Sequence, residues 1–227
     1  MELMLNCEHP ETLEKYLDLY PISGVTTNPL MVSREGNIDF FKYIKTLRAV
    51  VGERKLFAQV VSPVFEEMLV EAEMIRDAGG QDMNVKIPAT ETGIKAIKAL
   101  SEKGFNITAT VVCSSGQGII ALMAGAKYVA PFYDPMLKAG IDADAVIRQI
   151  AAYIKESGCK GKILTAGCRN FTQLGSAVEA GSHALTVDPA FLTREMVVAP
   201  SQEYLIKFKK AWDDVHGQDV KIIDLKK

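Results

Sequence analysis

Met83-Asn84-Val85-Lys86-Ile87-Pro88 leads through Ala89-Thr90-Glu91-Thr92 into Gly93-Ile94-Lys95-Ala96-Ile97-Lys98-Ala99-Leu100-Ser101. The first six residues alternate, with Met83, Val85 and Ile87 on one side and Asn84 and Lys86 on the other, as a β-strand requires. The last nine place Ile94, Ile97 and Leu100 on one face of a helix. A strand followed by an amphipathic helix is the repeating unit of parallel α/β folds. What decides the fold is how often the unit recurs.

It recurs eight times, from one terminus to the other. The other strands are predicted at Glu2 to Asn6, Gly24 to Asn28, Leu56 to Ser62, Asn106 to Val112, Tyr128 to Phe132, Lys162 to Cys168 and Ala184 to Val187. Helical stretches follow each, such as Glu66 to Ala78 with Met68, Leu69, Ala72 and Ile75 on one face. Eight repeats without a polar edge strand favour closing the sheet into a (β/α)₈ TIM barrel. An open doubly wound sheet normally has a glycine-rich turn after its first strand, and Leu5-Asn6-Cys7-Glu8-His9-Pro10 has no glycine. The reading is a single barrel domain over residues 1–217, including a C-terminal helix, and a tail over 218–227 whose Val220, Ile222, Ile223 and Leu225 dock on the barrel or a neighbouring subunit.

Composition narrows the function classes. Of the 227 residues 48% are hydrophobic and 24% charged, enough apolar surface for a large core and the balance of a soluble protein. A formal net charge of −2 provides no basic field for nucleic acid or an acidic membrane, so an anionic ligand must be held locally. Cys7, Cys113, Cys159 and Cys168 form no C-x-x-C pair and no leader pattern opens the chain, which points to the cytoplasm. His9, His183 and His216 lack metal-ligand spacing, so no metal is expected.

Barrel sites lie at the carboxyl ends of the strands. The polar residues late in otherwise apolar runs are Asn6, Thr26, Asn28, Gln59, Lys86, Thr108, Thr110 and Arg169. A lysine buried in a barrel is costly as an ammonium, and a neutral amine is the nucleophile that Schiff-base chemistry with a ketone needs. The bland alternatives are a lysine that snorkels to the rim or one paired with a carboxylate. No Asp or Glu stands in the late-strand set. For Asn28 and Thr26 the bland role is cap and turn chemistry ahead of Pro29, for Arg169 a surface arginine at a helix start, and for Cys113 and Cys168 a small buried hydrophobe.

Gly24-Val25-Thr26-Thr27-Asn28-Pro29, Val85-Lys86-Ile87-Pro88 and Ala124-Gly125-Ala126-Lys127-Tyr128-Val129-Ala130-Pro131 resemble, at their mutual spacing, the short transaldolase family, which includes the fructose-6-phosphate aldolases. The resemblance reaches to about Gly217. It implies a cofactor-free enzyme in which Lys86 forms the imine, Asn28 lies beside the donor's hydroxyls, and Gln59 and Thr110 hold a proton-shuttling water. Thr26, Asn28, Phe132, Gly167 and Arg169 are the substrate-binding positions. It further implies a homo-oligomeric ring, a pentamer or decamer, in which Phe208 and Trp212 of the last helix anchor the next subunit.

Four positions depart from one or other branch of that family. Gln59 sides with the aldolases, where transaldolases proper have Glu; Phe132 sides with the transaldolases, where the aldolases have Tyr. The family's Asp at the end of strand one is Asn6, which cannot accept and release a proton as a carboxylate does. Its strand-six phosphate-binding Arg is Pro135, leaving Arg169 of Gly167-Cys168-Arg169. Class I aldol cleavage releasing a dihydroxyacetone or hydroxyacetone unit ranks first, transfer of that unit between sugar phosphates second, and a sugar-binding barrel without turnover third. What separates the third is whether Asp134 or Asp188 reaches the site; Asn6→Asp is expected to raise aldol turnover, an unchanged or lower rate meaning that the site has another proton carrier.

Overall fold

The computed structural model describes residues 1–7 and 9–226. Eight parallel strands close on one another in sequence order, with the first paired to the eighth. They are β1 (Glu2–Asn6), β2 (Gly24–Thr26), β3 (Lys55–Gln59), β4 (Asn84–Pro88), β5 (Asn106–Val112), β6 (Tyr128–Pro131), β7 (Lys162–Ala166) and β8 (Ala184–Val187). Between them run α1 (Pro10–Leu19), α2 (Pro29–Val32), α3 (Phe40–Val51), α4 (Phe65–Gly79), α5 (Glu91–Glu102), α6 (Ser115–Met123), α7 (Tyr133–Lys138), α8 (Ala143–Ser157) and α9 (Phe171–Glu179). The expected (β/α)₈ barrel is what forms.

The chain divides into two compact units, Met1–Pro189 and Ala190–Lys227. The first is the barrel. The second carries α10 (Pro189–Glu195) apart from its first residue, α11 (Ala199–His216) and a short 3₁₀ turn at Ile222–Leu225. Within that second unit Trp212 donates from Nε1 to the carbonyl of Val220 at 2.6 Å, which ties the tail back to the helix. No helix among the described residues is long and apolar enough to cross a membrane.

Local chemistry sets the strand ends. β2 stops at Thr26, two residues before the predicted end, because Asn28 caps α2: its Oδ1 accepts from Met31 N at 3.0 Å and Pro29 starts the helix without needing a donor. α5 likewise begins two residues before Gly93, since Thr90 Oγ1 accepts from Gly93 N at 3.1 Å. β5 contains an irregularity that no local pattern announces. Its register with β6 shifts between Ala109 and Val112, and Val111 has a φ of 59°. A positive φ on a β-branched residue is strained, and it persists only because the flanking ladder imposes it. As a result Thr110 and Val112 are both buried while Val111 faces outward.

The lumen fills in layers. Met4, Phe57, Tyr128, Leu164 and Ala184 form one buried cluster, and two residues further along their strands stand Asn6, Gln59, Ala130, Ala166 and Thr186, one layer nearer the carboxyl ends. The amino ends are closed by charge. Glu2 Oε1 meets Lys55 Nζ at 2.9 Å and Lys162 Nζ at 2.6 Å, and Oε2 accepts from Tyr128 Oη at 2.7 Å. Burial pushes the Glu2 carboxyl up, but hydrogen bonds from Lys162, Lys55 and Tyr128 outweigh it and hold the pKa down at about 2, below the ordinary 4.5. The stability this supplies is complete above pH 4.5 and is lost as the pH falls through about 2. Glu2→Gln, which leaves two lysines facing each other, is expected to cost about 2 kcal/mol near pH 7. Urea melts should show that difference shrinking as the pH is lowered from 4.5 towards 2.

Candidate active site

Lys86 projects from β4 into the lumen and is only 7% exposed. Its strand neighbours in register are Gln59 on β3 and Thr108 on β5. The ammonium end is held by a neutral group: Nζ donates to the Thr27 carbonyl at 2.7 Å. Among the described residues no ion pair reaches it. Burial alone lowers its pKa from 10.5 to about 8. Roughly a tenth of the amine is then neutral at pH 7, on the order of 300 times the fraction in an ordinary lysine. Neither bland role applies, since the side chain is neither at the rim nor paired with an acid.

A cavity of about 270 Å³ opens above it at the carboxyl ends of the strands. Of the sequence-predicted residues, Asn6, Thr26, Asn28, Lys86, Thr110, Phe132, Gly167 and Arg169 line it. Gln59 does not line it, although it pairs in register with Lys86. Thr110 Oγ1 is buried without a hydrogen-bond partner among the described residues, so a polar donor and acceptor faces the cavity unsatisfied. The bulge at Val111 is what turns it there.

Around β1, β2 and β8 the polar groups form a chain. Asn6 Nδ2 donates to Asp188 Oδ1 at 2.7 Å, Thr26 Oγ1 donates to Asn6 Oδ1 at 3.2 Å, and Thr26 Oγ1 shares a 2.6 Å hydrogen bond with Thr186 Oγ1. Asp188 and Thr186 both line the cavity. Asn28 both caps α2 and lines the cavity, so its bland role and its site role coexist.

Phe132 lines the cavity, whereas the adjacent Tyr133 turns its hydroxyl away to donate to Asp144 Oδ1 at 2.7 Å. Gly167 adopts φ 79°, a conformation that favours glycine, where β7 gives way to the loop carrying Arg169. Arg169 Nε lies 3.6 Å from Asp134 Oδ2, and Asp134 also pairs with Lys138 at 2.7 Å. Asp134 does not line the cavity. Of the two carboxylates considered from sequence, it is therefore Asp188 that reaches the site.

Arg34 also lines the cavity, from the 3₁₀ turn Ser33–Glu35 that follows α2. Sequence reasoning passed over it because a turn has no strand periodicity to mark an inward side chain; a basic residue two turns beyond Asn28 was the available signal. Cys168 lines the cavity too, but burial, then Asp134 and Asp144, push its thiol up to about 12. Cys113 is pushed up by burial, and its amide donates to Gln117 Oε1 within the Ser114 cap of α6.

The family sequence model described as Transaldolase/Fructose-6-phosphate aldolase matches residues 5–203. A probable fructose-6-phosphate aldolase of Streptococcus pneumoniae is 38% identical over 213 residues, covering 93% of this chain and 96% of that one. Probable transaldolases of Alkaliphilus metalliredigens and Pelotomaculum thermopropionicum are 33% identical over 213 residues and 32% identical over 216, covering 94% and 95% of this chain and 98% and 99% of theirs.

Proposed function

The chain belongs to the transaldolase/fructose-6-phosphate aldolase family, and from that premise we propose that it is a Schiff-base aldolase whose imine forms on Lys86. One observation carries the proposal: a buried amine, held by a backbone carbonyl rather than a carboxylate, opens onto the cavity with its pKa near 8. The neutral amine attacks a ketose carbonyl, loss of water yields an iminium, and that iminium accepts the electron pair released when the adjacent carbon–carbon bond breaks. Thr110 Oγ1 is positioned to hold the water that carries protons during imine formation and hydrolysis. Gln59, the register neighbour of Lys86 on β3, is the second residue in this reading for that water.

The product retained on Lys86 is the enamine of dihydroxyacetone or hydroxyacetone. Water releases it in the aldolase reaction; a second aldehyde takes it up in the transfer reaction, the reading that Phe132 favours. Against a sugar-binding barrel without turnover stands Asp188, a carboxylate that lines the cavity. A panel of ketoses, incubated with and without an acceptor aldehyde, distinguishes the reactions. Free dihydroxyacetone or hydroxyacetone without acceptor supports the aldolase, and product only with acceptor supports transfer.

Arg34 and Arg169 give the acceptor end of the cavity two guanidinium groups, a suitable pair for a phosphorylated substrate. The double variant Arg34→Ala, Arg169→Ala is expected to raise KM for a phosphorylated aldehyde by about tenfold or more while leaving KM for hydroxyacetone unchanged. Equal effects on both would argue against an anion subsite. We also propose a homo-oligomer: none of the residues of α11 is buried, and Tyr204, Leu205, Ile206 and Phe208 are exposed on it. A solution mass of one chain by light scattering would contradict this.

A further inference from the structure

We infer that Asp188, at the carboxyl end of β8, is the carboxylate that takes up and returns the proton in the carbon–carbon bond step, and that Asn6 positions it. The inference rests on the reading of Lys86 as the imine-forming amine.

The bond step defines what the site must contain. With the donor held as an iminium, the hydroxyl on the carbon beyond the breaking bond gives its proton to a base. Its O–H electron pair becomes the second bond of the aldehyde carbonyl. The electrons of the carbon–carbon bond move into the iminium, which becomes a neutral enamine. No oxidant or reductant takes part. A base is needed that is unprotonated at neutral pH and within reach of the cavity.

Elimination among the described cavity-lining residues leaves one group. Lys86 is occupied as the iminium. Arg34 and Arg169 carry guanidinium groups, which offer donors and no acceptor, and the Cys168 thiol is pushed up to about 12 by burial and its acidic neighbours. Asn6, Asn28, Thr26, Thr110 and Thr186 hold no proton-accepting charge at pH 7. Asp188 is the only carboxylate among the described residues lining the cavity.

Its geometry suits the task. Asn6 Nδ2 engages Oδ1 at 2.7 Å, and the Asn6 amide is itself oriented by Thr26, whose hydroxyl donates to Asn6 Oδ1. Thr26 is in turn joined to Thr186 of β8, two residues before Asp188, which directly follows that strand. One carboxylate oxygen is thereby fixed, and no hydrogen bond to a described residue engages the other. A second carboxylate at position 6 would stand at the same 2.7 Å, and like charges that close drive one group to protonate. An amide at position 6 instead sets a hydrogen-bond donor, not a second acid, against the carboxylate at 188. Asparagine at the end of β1 and aspartate at the end of β8 form one device, with the charge on β8.

The test uses the full chain and two readouts: imine trapped on Lys86 by borohydride with hydroxyacetone, and kcat for ketose cleavage against pH. Under saturating substrate Lys86 is an iminium and leaves kcat, so the acid limb of kcat reports the base, while kcat/KM still reports the amine. Asp188→Asn is expected to trap the imine as the wild type does, to lose about 100-fold or more in kcat, and to lose the acid limb of kcat. Asn6→Asp alone should lower kcat at neutral pH. The exchange variant Asn6→Asp, Asp188→Asn should recover at least about tenfold over Asp188→Asn, which a merely misfolded protein could not do. Wild-type kcat with its acid limb intact in Asp188→Asn would overturn the inference, as would loss of imine trapping in that variant, or no recovery in the exchange variant. Absence of a trapped imine in the wild type would overturn the reading beneath it instead.

Discussion

Lys86→Met is expected to abolish aldol cleavage and transfer, by roughly 10⁴-fold or more, because a covalent route has no bypass once its nucleophile is gone. The same substitution is expected to make the protein more stable. Below about pH 8 the folded state holds an ammonium in a site whose burial opposes it, whereas the unfolded chain ionises at the ordinary 10.5. The stability that this opposition removes is restored only as the pH rises from about 8 to 10.5. Met has nearly the same length and no charge, so at pH 7 the variant should gain up to a few kcal/mol, less about 1 kcal/mol for the Thr27 carbonyl left without its donor. Urea unfolding at pH 7 and at pH 10.5 checks this, with the gain largest at pH 7. Equal stability at both would mean that the amine is not disfavoured in the fold.

Gly93→Ala is expected to be the most damaging conservative change in the barrel. A Cβ at position 93 would stand 1.9 Å from the carbonyl oxygen of Pro88, the last residue of β4, and backbone cannot rotate away as a side chain can. Either α5 or the end of β4 must shift. The expected cost is about 3 kcal/mol or more, a melting midpoint lowered by about 10 °C. Activity should fall further than unfolding explains, because Pro88 is two residues from Lys86. Gly175→Ala is the control: it lies within α9 with nothing inside 4 Å of the added methyl, and should be neutral or slightly stabilising.

What the sequence made legible was whatever is periodic. Eight apolar runs of strand length, each followed by helical spacing, contain the barrel, and the inward parity of Asn84 and Lys86 follows from the alternation in Met83–Pro88. The limits of that reading were physical. Asn28 and Thr90 end a strand and begin a helix by side-chain caps whose energy competes with the strand pattern. The bulge at Val111 arises between two strands, from a register shift that neither strand encodes alone. Gln59 stands beside Lys86 in register yet does not line the cavity, since register fixes the strand position but not where the side chain's end lies. Asp188 was visible as a candidate, but only the closure of β8 against β1 brings it to Asn6, 182 residues away in sequence.

All of this turns on one nitrogen, and borohydride reduction of the protein mixed with hydroxyacetone or dihydroxyacetone interrogates it directly. One adduct per chain is expected, with the mass of the reduced three-carbon unit, on the peptide containing Lys86, and none in Lys86→Met. An adduct on any other lysine, or none while cleavage proceeds, would contradict it.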